Sequence, residues 1–348
     1  MGAVGGLQLP YAHGGPLGRA RLRSIPEDFF VDEVLGFPPS GQGEHLLVHV
    51  RKRERTTEQA AARLARSLGV PRRAVSYAGM KDKWAVTQQW FSVHLPGNAP
   101  LPPPGELAPG VEVLSAARHN KKLRRGVLRG NRFRLRLRDV DAPAAAISVR
   151  LAAIARLGVP NYFGAQRFGP GGENIDRARD MLSGRLQLRD RTLRGILLSA
   201  VRSYLFNQVL AERVRQGVWN KAVEGELLML DGRGSLFALE VLDEDIRARL
   251  AALAIHPSGP LCGRGCPQPS AVAADLEQRV LAEEAELVAG LSAAGVEGAR
   301  RALRVRVSEL AWWFPAPGEV ELRFALPAGA YATSVIREIF AAEDGPAG

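Results

Sequence analysis

Residues 132–138 read Arg-Phe-Arg-Leu-Arg-Leu-Arg, with arginine at 132, 134, 136 and 138 and Phe133, Leu135 and Leu137 between them. A period of two means a strand with one apolar and one cationic face. Like charges two apart on one face repel, so the stripe calls for a counter-charge, which a phosphate backbone would supply. Working outward, residues 118–138 hold ten Lys or Arg and no acid. That run accounts for nearly all of the net charge of +11, from 47 basic against 36 acidic residues. A solvated face usually interleaves both signs, so a concentrated run favours a polyanionic partner, nucleic acid above all.

The chain has 348 residues, 46% hydrophobic and 24% charged. Two globular domains are expected at that length, and disorder is excluded. No apolar run approaches the roughly 18 residues of a membrane span. The Gly-rich first 18 residues lack the charged head and apolar stretch of a secretory leader. Two cysteines exclude a disulfide scaffold and point to a reducing compartment, hence a cytoplasmic protein.

Residues 44–50 carry the pattern of a strand. Thr56 starts a helix, with Gln59 as its capping-box partner and Gly69 as its stop. Residues 75–78 and 89–95 read as strands around a polar turn at 79–85. Six prolines and three glycines make 96–110 a loop. Beyond the arginine strand, Asp141 is placed to cap a helix lined by Ile147, Leu151 and Ile154. Helices follow at 191–215, 243–254 and 270–294, and period two returns at Val320, Leu322 and Phe324. Strands, a helical middle, then strands again suggest one domain inserted within another, at 157–303.

Several chemistries can be set aside. No Gly-rich loop ends in Lys-Ser or Lys-Thr, so nucleotide phosphoryl transfer is not supported. The glycines at 169–172 do not follow a clean buried strand. Cys262 and Cys266, with only His256 nearby, do not close a zinc site, so no metal and no cofactor are expected. What remains is Gly79-Met80-Lys81-Asp82-Lys83-Trp84, an aspartate between two lysines in a turn. Taken alone it is either a solvated loop whose charges neutralise one another or a shaped, partly buried turn that holds an ionised carboxylate.

At this point a family resemblance enters. Pro26-Glu27-Asp28-Phe29 with Gly41-x-Gly43-Glu44-His45 resembles the N-terminal signature of the TruD family of tRNA pseudouridine synthases. Gly79-Met80-Lys81-Asp82-Lys83 with Ala85-Val86-Thr87 resembles its catalytic motif. Gly130-Asn131-x-Phe133 and Val159-Pro160-Asn161-Tyr162-Phe163-Gly164-x-Gln166-Arg167-Phe168-Gly169 follow in family order. So do Phe206-Asn207 with Ala211-Glu212-Arg213, and Leu326-Pro327-Ala328-Gly329 with Ala332-Thr333-Ser334. The match spans nearly the whole chain.

The resemblance implies an α+β fold. A pseudouridine-synthase catalytic domain with a mixed, largely antiparallel sheet would comprise 1–156 and 304–348, and a family-specific α/β insertion domain 157–303, with a basic cleft between them and the 161–169 block holding the two in register. It implies conversion of uridine 13 of tRNA to pseudouridine by Asp82, without cofactor. Phe29, Asn131, Phe133 and Tyr331 would contact the target nucleotide, although Phe133 fits the core equally well. Arg23, Lys81, Lys83, Arg132 and Arg134 would support the RNA or the carboxylate. Two positions depart from the pattern: Tyr331 stands where the family usually has Phe, and Arg23 stands near a family lysine. The partner is tRNA, with no membrane and no protein partner implied. A non-catalytic RNA-binding or RNA-chaperone module is the alternative of another class, though it would have no need of Asp82. An RNA methyltransferase is the other enzyme to exclude.

Overall fold

The arginine strand, Leu128–Leu137, lies inside a nine-stranded sheet. The computed structural model describes residues 3–4, 7–97, 100–124 and 126–345. Arg125 of the basic run, residues 98–99 of the proline-rich stretch and parts of both ends fall outside them. Packing divides the chain into two units. One comprises Gly18–Ala145, Ser308–Gly329 and Ala342–Gly348, and the other Met1–Leu17, Ala146–Val307 and Ala330–Ala341.

In the first unit the strand order is Ser308–Trp313, Val320–Pro327, Leu128–Leu137, Phe29–Leu35, Val86–His94, His45–Arg53, Val111–His119 and Gly105–Ala108. Val75–Tyr77 also pairs with Val86–His94. Phe29–Leu35 runs parallel to Val86–His94, while the other described ladders of this sheet are antiparallel. The sheet is therefore mixed and largely antiparallel, the α+β architecture expected. Alternation decides the faces. Phe133, Leu135 and Leu137 are buried while Arg132 and Arg134 are exposed. Across the sheet, Leu46, Val48, Val50, Phe91 and Val93 form a core against Ala60, Ala61 and Leu64 of the helix Thr57–Ser67. That helix begins with the expected capping box, Gln59 N–H donating to Thr56 Oγ1 at 3.1 Å and Thr56 N–H to Gln59 Oε1 at 2.9 Å.

The second unit is built on the 25-residue helix Arg191–Arg215 and a four-stranded sheet of Leu236–Ala238, Leu227–Leu230, Ile255–Leu261 and Ala299–Ala302. Tyr162, Phe163 and Phe168 sink into a core with Leu9, Phe206 and Leu210. The buried Asn207 amide clips the Phe163 backbone, accepting from its N–H and donating to its C=O, both at 2.9 Å. No helix among the described residues is long and apolar enough to cross a membrane.

Three sequence expectations are corrected. The proline-rich loop contains the strand Gly105–Ala108, paired with Val111–His119. Asp141 precedes the helix Ala144–Leu157, and its carboxylate takes the Arg19 N–H at 2.5 Å. The helix expected over 270–294 is two, Ala271–Ala282 and Ala285–Ala293. Glu284 leaves helical geometry between them, and its carboxylate accepts from Arg179 at 2.7 Å and Tyr204 at 2.9 Å.

Candidate active site

Asp82 sits in the turn that leads into Val86–His94, and the turn is pinned from beneath by buried polar groups. Gln89, fully buried, donates its amide to Gly79 O at 2.6 Å and accepts from the Thr57 hydroxyl at 3.0 Å. Thr57 Oγ1 in turn accepts the Lys81 N–H at 3.0 Å. The helix that opens at Thr57 thus reaches the turn through its first residue. Gln89 and Thr57 thus each donate and accept within the relay, which rigidifies such a network.

Lys81 folds inward to Glu33, Nζ to Oε1 at 2.5 Å, and Glu33 also accepts the Trp90 N–H at 2.9 Å. Burial pushes the Glu33 carboxyl up, against the pull of Lys81. Lys52, fully buried, donates from Nζ to the main-chain oxygen of Asp82 at 2.6 Å. Asp82 keeps its carboxylate 39% exposed, with Oδ2 accepting from Arg23 Nη2 at 3.1 Å. Arg23 is 11% exposed, lies 4.1 Å over the Phe29 ring, and gives its other terminal nitrogen to Asp344 at 2.5 Å. Its φ of +57°, a conformation side chains rarely adopt, aims this fork.

Asn131 stands opposite Glu33 in the ladder between Leu128–Leu137 and Phe29–Leu35, so the two share a face with Phe133 and Val31. Its Oδ1 is buried and has no partner among the described residues. Gly130 beside it cannot be replaced without movement, because a Cβ there would collide with the Leu326 carbonyl. Phe29 meets Phe133 edge to face at 6.4 Å, and Phe133 stacks on Phe324 at 5.2 Å. Both are buried.

The first unit therefore gathers Asp82, Arg23 and Phe29, with Lys81 tied to the turn through Glu33, and sets Asn131 and Phe133 on the face that Glu33 occupies. It does not bring Lys83 to the carboxylate: that ammonium lies 4.7 Å over Trp84. Asp82 is paired by Arg23, while both flanking lysines turn elsewhere. Arg132 and Arg134 occupy the face opposite Asn131 and Phe133. The expectation that the arginine stripe has no acid nearby is overturned. Arg132 pairs with Glu309 at 3.2 Å, Arg136 with Glu321 at 3.4 Å, and Arg138 with Asp28 at 2.8 Å and Glu319 at 2.6 Å. Arg134 lies 5.1 Å over Phe30. These acids come from other elements, so a count along one strand missed them.

In and beside the loop before that strand, Lys121, Lys122, Arg124 and Arg129 are exposed and form no ion pair among the described residues. Tyr331 belongs to the second unit. Its hydroxyl accepts from Arg167 at 3.1 Å and its ring lies 6.3 Å from Phe163. Sequence reading missed Lys52, Glu33, Thr57, Gln89 and Asp344. For the first two and Gln89 a signal existed: each is a polar residue in phase with the buried apolar residues of its strand.

Comparison with known proteins identifies the family. A family model described as tRNA pseudouridine synthase D (TruD) matches residues 9–175 and 173–339. The tRNA pseudouridine synthase D of Methylococcus capsulatus is 49% identical over 331 residues, 95% of this chain and 94% of that protein. Its namesake from Pseudomonas aeruginosa is 47% identical over 342 residues, 97% of this chain and 96% of that protein. A solved TruD structure from Methanosarcina mazei shares the fold, with a TM-score of 0.67 at 23% identity and 95% of each chain covered. With family blocks in order along the chain and the fold in common, the chain belongs to the TruD family of tRNA pseudouridine synthases.

Proposed function

We propose that the chain isomerises uridine 13 of cytoplasmic tRNA to pseudouridine, with Asp82 as the catalytic carboxylate and no cofactor. The observation that carries the reading is the carboxylate itself. It is solvent-accessible, fixed by a turn whose backbone is bonded from below, and paired with one guanidinium. The reaction breaks the N1–C1′ bond, turns the uracil and rejoins it through C5. N1 gains the proton that C5 loses, so the isomerisation balances within the nucleotide. One ionised carboxylate suffices, as nucleophile at C1′ or as base toward the sugar. The uridine must leave its stack to reach it.

Asn131 supports substrate contact through its buried Oδ1, which has no partner among the described residues and is an acceptor suited to the imide N–H of uracil. Phe29 and Phe133 form an aromatic floor, and Tyr331 is the further contact that the family pattern assigns. Lys121, Lys122, Arg124 and Arg129 suit the phosphate backbone.

The test is Asp82→Asn, which keeps the shape and removes the base. Single-turnover assays at saturating enzyme keep weak binding from hiding the chemical step. Pseudouridine formation is expected to vanish with most tRNA affinity retained, since affinity comes from many phosphate contacts. A variant that keeps more than about a tenth of the wild-type rate would remove Asp82 from catalysis.

A further inference from the structure

We infer that Lys52 is a positioning residue of the reaction, gripping the main chain of Asp82 so that the carboxylate points at the substrate sugar. The inference rests on Asp82 being the catalytic group. Lys52 lies on His45–Arg53 in phase with the buried Leu46, Val48 and Val50, where a strand packed on one core takes an apolar side chain. A buried ammonium is expensive, and a hydrophobic residue of similar volume is often the more stable choice. The charge is nevertheless present, and among the described residues it donates to the Asp82 carbonyl at 2.6 Å. That bond fixes the peptide next to the reacting side chain, and an ionised donor in a dry site grips harder than a neutral one.

The groups facing Lys52 are few. Asp82 and Lys81 act on it from the turn, and Glu33 from Phe29–Leu35. Thr87 stands opposite on Val86–His94 and Val111 on Val111–His119. Burial outweighs the attraction of the two carboxylates and pulls the ammonium down to about 8 from its ordinary 10.5. Because the folded form holds this proton less tightly than the unfolded chain, Lys52 makes stability rise with pH between those values. Its grip on Asp82 weakens over the same range. Activity and stability should therefore diverge with pH, which a purely structural lysine would not produce.

The experiment compares the full-length wild type with Lys52→Met and Asp82→Asn in single-turnover assays on tRNA from pH 6.5 to 9. Thermal melts and tRNA affinity are measured at each pH. The wild-type rate is expected to fall through about pH 8 while the melting temperature holds or rises. Lys52→Met should lose about 10- to 100-fold in rate at neutral pH, keep tRNA affinity within about twofold, and lose the fall near pH 8. A wild-type rate that holds to pH 9 overturns the inference even if Lys52→Met fails to fold. So does a folded Lys52→Met with wild-type rate while Asp82→Asn is inactive. An active Asp82→Asn would instead overturn the reading on which the inference stands.

Discussion

Arg23 meets Asp82 with a planar fork, and a lysine in its place would differ chemically. One guanidinium nitrogen goes to Asp82 and the other to Asp344, while its face covers Phe29. A lysine ammonium can serve one carboxylate well but not both in this geometry. Arg23→Lys should keep most of the single-turnover rate, because a cation stays beside Asp82, whereas Arg23→Met should lose at least about tenfold. Equal rates for the two variants would mean that the charge beside Asp82 is immaterial. At this scale the candidate aspartate was legible, because its motif is local. Its supports were not, because Lys52, Glu33 and Gln89 come from three strands that only the sheet brings together. What was readable was phase: three polar residues where their strands bury apolar ones. Asp344 carried no such mark, lying in the exposed strand Ala341–Asp344.

Among the elements, the arginine strand shows how a one-dimensional pattern can be right about structure and wrong about charge. Period two placed Phe133, Leu135 and Leu137 in the core correctly. It could not register that Val320–Pro327, paired in register beside it, would set Glu321 opposite Arg136. Three of the four arginines are neutralised by acids of this chain, so their share of RNA affinity should be small. The loop cations Lys121 and Lys122 remain exposed and unpaired among the described residues. Replacing both with Gln should make the slope of log affinity against log salt shallower by about 0.7–0.9 per lost phosphate contact. Replacing Arg132 and Arg136 should leave the slope nearly unchanged. Filter binding of tRNA from 50 to 300 mM salt decides between them, and the reverse ranking would return RNA binding to the strand face.

For the molecule as a whole, neither unit is a continuous stretch of chain, and the joins were the least legible feature of all. An insertion running from 157 to 303 follows from the change of periodicity, yet Met1–Leu17 and Ala330–Ala341 pack with Ala146–Val307. Neither short segment has a long periodic pattern of its own, since its partners are distant in sequence. Leu9 is buried beside Phe206 and Leu210, and Arg337 donates to Leu9 O at 2.7 Å. Glu338, fully buried, accepts the Ala12 N–H at 2.9 Å and the His13 N–H at 3.1 Å, closing the segment onto the far end of the chain. Glu338→Ala strands those two donors, takes from Arg337 the carboxylate it pairs with at 2.8 Å, and removes a charge that offsets Arg150. The loss should be about 1–3 kcal/mol of stability, the desolvation cost of buried donors left unsatisfied. It should appear as a lower melting temperature and as faster hydrogen exchange across residues 9–17, the segment the carboxylate holds. Glu338→Gln, which retains an acceptor oxygen, should lose less. If Glu338→Ala melts and exchanges like the wild type, the N-terminal segment is held by Leu9 and its apolar neighbours rather than by this carboxylate.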